Sequence, residues 1–180
     1  MENERIVTIV SAPKEHGFKN FAEARKWAKK HIVGSVQQPE IGEVNISRTA
    51  IEKYLSQKAV EKSDNKGVHL SALRVFPKII EESIVGKIHV DRNGNENLKD
   101  IVRLYGAIEI CGIFYRVKTT VKPYTNANER TKAYSYEVKE IELLDGTPGD
   151  DHNNPLPRTS NNSITVAKLL QISEFDNNND

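Results

Sequence analysis

A set of polar residues recurs at alternate positions in the second half of the chain, and their types are those that handle phosphate. Arg103, Arg116, Lys118, Thr120 and Lys122 fall on one side of two neighbouring segments, and Ser135 and Lys139 extend the set on a third. Alternate residues on paired strands lie within reach of one another across the ladder. Three or four cations gathered there attract a polyanion such as an RNA backbone. Metal-free RNA cleavage needs little more than such a face: a base for the 2′-hydroxyl, an acid for the leaving oxygen, and cations for the charged phosphorane. His69 and Tyr136 are the titrating and hydroxyl-bearing residues available for the proton steps, although strand parity turns Tyr136 toward the core. The same alternation also suits an ordinary solvated sheet face, where Lys and Thr resist edge pairing.

The strands that carry these residues are legible from their period of two. Val102, Leu104, Ile108 and Ile110 alternate with Arg103, Tyr105 and Glu109. At Cys111-Gly112 the phase flips, as a two-residue hairpin turn requires. Ile113, Tyr115, Val117 and Val121 then become the inward set, and Pro123 ends the ladder because it has no N–H to donate. A polar connector, Thr125 to Lys132, leads to a third strand. There Tyr134, Tyr136 and Val138 share a face, while Ile141 and Leu143 take the opposite parity. The mismatch predicts a bulge near Lys139-Glu140.

Helices precede the sheet. Asn20 and Glu23 form a capping box ahead of Phe21, Ala24, Ala28 and Ile32, and Gly34 stops that helix. Its cations, Arg25, Lys26, Lys29 and Lys30, read as a solvated face. Ile6 to Val10 suits a short strand or an ordered arm, and Gln37 to Glu43 reads as a loop. Ser47 caps a second helix with Ala50, Ile51, Tyr54 and Leu55 inward. Glu61 to Gly67 reads as a connector. A helical stretch from Val68 to Val85 carries Pro77, which predicts a kink or a restart with Pro77 in the first turn. Lys87 to Val90 suits a short strand, and Asp91 to Asn95 a turn. The expected fold is α+β, with N-terminal helices packed on a small antiparallel β-sheet. Residues 1–144 form the domain, 145–162 an exposed linker rich in Gly, Pro, Asn and Asp, and 163–180 a short helical turn capped by Ser163 with a polar tail.

Composition narrows the function. Charged residues make up 28% of 180, yet the formal net charge is +1, so any attraction for a polyanion must come from local clustering. The single Cys111 excludes an internal disulfide framework and a Cys-based zinc cluster. The five histidines are scattered, so neither a metal nor another cofactor is expected. No G-x-x-x-x-G-K-[ST], G-x-G-x-x-G or H-E-x-x-H occurs. No apolar run approaches the roughly 20 residues of a membrane span, and the N-terminus lacks signal-peptide features. A reducing cytoplasm is the expected location.

Several short segments carry a resemblance. They are Ile46–Ser56 (ISRTAIEKYLS), His69–Ile80 (HLSALRVFPKII), Phe114–Lys122 (FYRVKTTVK), Ala133–Leu143 (AYSYEVKEIEL) and Ser163–Leu170 (SITVAKLL). Together they resemble domains of the large polyvalent proteins of phages and conjugative elements, including phage members of the barnase–EndoU–colicin–RelE-like nuclease superfamily. The resemblance implies a small α+β fold that attacks or modulates RNA without metal, or an accessory module beside such enzymes. It implies a catalytic set of His69, Lys118, Thr120 and Tyr136, with Arg103, Arg116, Lys122 and Ser135 holding substrate. The expected function is a metal-independent RNase-like domain. The alternative is a non-catalytic module that binds nucleic acid or a neighbouring protein domain through the same sheet face.

Overall fold

A computed structural model of the chain describes residues 5–89, 100–123, 130–141 and 163–175. The turn expected at Asp91 to Asn95, most of the connector from Thr125, the linker 145–162 and the tail end 176–180 lie outside the described residues.

The elements run β1 (Ile9–Ser11), α1 (Phe21–His31), β2 (Gly34–Gln38), β3 (Gly42–Ile46), α2 (Arg48–Tyr54), α3 (Gln57–Glu61), α4 (Lys66–Arg74) and α5 (Phe76–Glu82). Then come β4 (Ile84–His89), β5 (Ile101–Ile110), β6 (Ile113–Lys122), β7 (Lys132–Glu140) and α6 (Val166–Phe175). The caps follow side-chain chemistry. Asn20, Ser47, Ser56 and Asn65 each accept a backbone N–H three residues on, which satisfies a donor the helix start leaves open. Pro77 sits in the first turn of α5, where its missing N–H costs nothing, so α4 and α5 are two helices.

The sheet corrects the expected fold. It is a mixed sheet of seven strands, curled into a half-barrel with the helices across it. The order is β1-β5-β6-β7-β3-β2, with β4 also paired to β5. β1 runs parallel to Ala107–Glu109 of β5, and β4 runs antiparallel to its first half, so the two share one edge end to end. The segment expected to be a loop at Gln37 to Glu43 is the hairpin of β2 and β3, turning where Gly42 adopts φ 84°. The expected helix through Val85 ends at Glu82, because Ile84 and Val85 already pair with β5.

The central hairpin turns where the alternation predicts, but Ile113, expected inward, is exposed at the turn. Cys111 and Gly112, at φ 51° and 77°, make the tight turn, and Ile110 pairs with Ile113. Leu104, Ile108, Val117, Val121 and Val138 face the helices, where Ile51, Tyr54, Leu73, Phe76, Ile79 and Ile80 bury their side chains. At Gly106 strand and helix touch closely: a Cβ there would stand 2.9 Å from the Ile79 Cγ2 and Ser83 Oγ atoms.

The opposite face of the sheet is covered at one end. Tyr105, Ala107, Phe114 and Ile141 pack with Val7, Ile164, Val166 and Leu169 in a second apolar cluster. Thr165, rather than Ser163, caps α6 by accepting the Lys168 N–H. The N-terminal arm holds this segment in place. Val7 N–H donates to the Ile164 carbonyl and Val166 N–H to the Arg5 carbonyl, each at 2.9 Å.

Candidate functional site

β7 meets β3 through one register pair, Asn45 with Lys132. Beyond it the β7 edge is taken up by the chain between α3 and α4. Val138 N–H donates to Ser63 Oγ, Asp64 N–H to the Val138 carbonyl, and Glu140 N–H to an Asp64 carboxylate oxygen. These bonds set α3 beside the sheet edge. Between them lies a groove of about 700 Å³.

Sheet and helices both supply its cations. Arg103, Lys118 and Lys139 enter from the strands, and Lys53, Lys58 and Lys62 from the end of α2 and from α3. The lining holds two carboxylates, Glu52 and Glu137, and both are engaged. Glu52 is held by Arg25 and Lys29, and the Lys29 hydrogen bond lowers its carboxyl pKa below the ordinary range. Glu137 lies 2.6 Å from the Lys118 ammonium and 3.8 Å from Arg116. Formal charge in the groove is therefore strongly positive although the whole chain is almost neutral.

The sheet register decides which residues reach it. Thr120 pairs with Ser135 and Val121 with Ala133, so Tyr134 is the extra residue of a bulge. The bulge therefore sits at Tyr134, not at Lys139-Glu140. It puts Tyr136 and Val138 on the core side and swings Tyr134 onto the groove wall, so the three do not share a face. Two ammoniums stand over the Tyr134 ring, Lys53 at 4.0 Å and Lys122 at 3.7 Å from its centroid.

Of the expected residues, Arg103, Lys118, Thr120, Ser135 and Tyr136 line the groove together, Tyr136 with its hydroxyl turned into the core, and Arg103 donates to Thr120 Oγ1. Lys122 reaches its wall through Tyr134. Arg116 does not point into solvent as its parity predicts. Its side chain is buried beside the second apolar cluster, with the guanidinium 5.6 Å from the Tyr105 ring centroid.

His69 and Tyr136 occupy the core. The His69 ring is fully buried and stacks on Tyr136 at 4.3 Å between centroids. Its Nε2 faces the Tyr54 carbonyl at 2.8 Å, an acceptor only, so Nε2 carries the proton. Nδ1 then accepts from the Ser63 hydroxyl at 2.7 Å. Burial pushes the His69 pKa down to about 4, with the Tyr54 carbonyl a smaller opposing influence. Burial raises the Tyr136 hydroxyl well above its ordinary value, and that hydroxyl donates inward to the His69 carbonyl at 2.8 Å. Both polar groups thus spend their hydrogen bonds on joining α2, α4 and β7.

The lysines of α2 and α3 had no distinguishing pattern in the sequence, and they reach the groove only because the bonds of Ser63 and Asp64 to β7 set α3 beside the sheet. Tyr134 had a signal, the parity mismatch within the third strand, but that mismatch does not say where the bulge falls. Among the described residues, no three His, Cys, Asp or Glu side chains gather as a metal site needs. Nor is any described helix long and apolar enough to cross a membrane.

Fold and groove together define an α+β domain with a half-barrel sheet and a cationic cleft between β7 and α3. The chain belongs to the family described as large polyvalent protein-associated domain 3, whose model matches residues 18–134. That agrees with the polyvalent-protein part of the resemblance seen in the sequence and does not extend to the nuclease superfamily. No curated protein and no solved structure matches the chain.

Proposed function

We propose that this domain is a non-catalytic module that takes the phosphate backbone of a nucleic acid into the groove between β7 and α3. The observation that supports this most is the convergence of six cations on one cleft in a chain of net charge +1. Neutralising phosphates with Lys and Arg releases counterions, and sequence-independent binding of this kind has a Kd of roughly 10⁻⁴–10⁻⁶ M at physiological salt.

Cleavage is the weaker reading. Arg103, Lys118, Thr120 and Ser135 offer cations and hydroxyls to a phosphorane, but the proton steps need a titrating group beside them. His69 has both ring nitrogens paired within the core, and the Tyr136 hydroxyl points away from the groove.

The test is fluorescence anisotropy with labelled RNA across a salt series in EDTA, beside the Lys118→Ala variant, with the RNA run on a gel afterwards. Salt-dependent binding of intact RNA, weakened by the substitution, is the expected result. Cleavage by the wild type that the substitution removes would restore the RNase reading. Absence of binding at low salt would turn attention to an acidic neighbouring domain as occupant.

A further inference from the structure

We infer that Tyr134 is a stacking platform for an unpaired base, so that the groove selects single-stranded over duplex nucleic acid; this rests on the backbone-binding reading. Three observations carry it. The bulge opposite Thr120 leaves one residue of β7 without a partner, and bulges of this kind re-aim a side chain at the expense of the ladder. The residue re-aimed is aromatic, 36% exposed, and turned out of a sheet face that holds a second tyrosine in the core two positions later. Its ring is covered by the Lys53 and Lys122 ammoniums, at 4.0 and 3.7 Å, which is where the plane of a stacked base belongs.

A base entering here displaces an ammonium from the ring. The exchange is favourable because stacking on an aromatic side chain outweighs a solvent-exposed cation–π contact. The displaced ammonium also gains the phosphate that arrives with the base. The rest of the wall supports that geometry. Lys118 and Arg103 lie on neighbouring strands of the same face and line the same groove, both to the Thr120 side of Tyr134, where they can hold the backbone that leads to the stacked nucleotide. Every base has a π-face, so the platform tolerates any sequence. In a duplex the bases are stacked on each other and present no free face, so a duplex meets only the cations.

The experiment compares wild type, Tyr134→Leu and Tyr134→Phe by fluorescence anisotropy at fixed salt. Labelled single-stranded RNA and DNA of one sequence are titrated first, and the tighter is carried forward. It is then compared with an abasic phosphodiester of the same length and with its own duplex. The expected result is wild-type preference for the base-containing strand over the abasic one by at least about fivefold. Tyr134→Phe should retain that preference, and Tyr134→Leu should lose it while keeping the affinity for the abasic strand and the duplex. Thermal melts followed by circular dichroism establish that the variants fold. Equal binding of base-containing and abasic strands by the wild type overturns the platform and leaves backbone binding intact. Tyr134→Leu binding as tightly as wild type does the same. A wild type that binds none of the probes overturns both readings.

Discussion

His69 Nδ1 accepts a hydrogen bond from Ser63 at 2.7 Å, and the same Ser63 oxygen accepts the Val138 N–H at 2.9 Å. With Nε2 on the Tyr54 carbonyl, one neutral imidazole ties α2 and α4 to the edge of β7. Protonation would give Nδ1 a hydrogen facing a hydroxyl committed to it as donor. The folded-state pKa, about 4, lies below the ordinary 6.5, so between those values the unfolded chain binds more protons. Stability held by neutral His69 is therefore complete above the unfolded pKa and is lost as pH falls toward 4. About 2 kcal/mol should disappear between pH 7 and pH 5, at about 1.4 kcal/mol per unit. Urea unfolding at the two values measures it, and a His69→Gln variant should show a flatter dependence. Equal pH dependence in both proteins would contradict the assignment.

Removal of the Tyr136 hydroxyl should cost stability without touching binding. Tyr136→Phe deletes the bond to the His69 carbonyl, worth about 1 kcal/mol. The readout is the urea midpoint together with RNA anisotropy. A large change in binding with an unchanged midpoint would place the hydroxyl at the site after all.

Lys58 and Lys62 line the groove from α3 and are exposed, so they report on backbone contacts without disturbing the core. Lys58→Ala with Lys62→Ala should lower the slope of log Kobs against log salt by roughly 1.4 on a single strand, at about 0.7 per lost contact. A slope equal to that of wild type would mean that the polyanion does not pass along α3.

Glu137→Gln works in the other direction. The substitution frees Lys118 from its 2.6 Å pair, so binding should tighten and the salt slope steepen by about 0.7. Stability should fall, because buried Arg116 loses a charge partner 3.8 Å away. Weaker binding in a folded variant would mean that the carboxylate itself holds the ligand.

Leu169 anchors α6 in the second apolar cluster and is fully buried. Leu169→Ala should cost about 2–5 kcal/mol, as large-to-small core changes do. A shift well below that range in a urea titration would mean that α6 contributes little to the fold.

The parts legible in the sequence are those whose pairing is local. The hairpin of β5 and β6 follows from strict alternation around Cys111-Gly112, and the helix starts follow from Asn20, Ser47 and the early Pro77. Long-range pairing is not legible in the same way. Nothing in Gly34–Gln38 or Ile9–Ser11 says that each joins the same sheet, because a three- to five-residue strand gains its identity from its neighbour. Arg116 shows the same limit at the site. Its parity sets the face correctly, but the cover over that face comes from residues 163–170, far along the chain. His69 shows the limit of residue type: a histidine on an apolar stripe reads alike whether it moves protons or pins a core. Arg103, Lys118, Thr120 and Ser135 are legible as a group because one ladder register puts them side by side.

The pairing of Ile6 with Thr165 has a mechanical consequence. The two segments run antiparallel, with Arg5 beside Val166, so tension applied through the two flanks of the domain enters at one point. Such a load peels the seam bond by bond, whereas the long β5–β6 ladder would be strained only afterwards. Under such a load the domain would shed its arm and α6 first and uncover Tyr105, Ala107 and Phe114, while the groove beside β7 kept its shape.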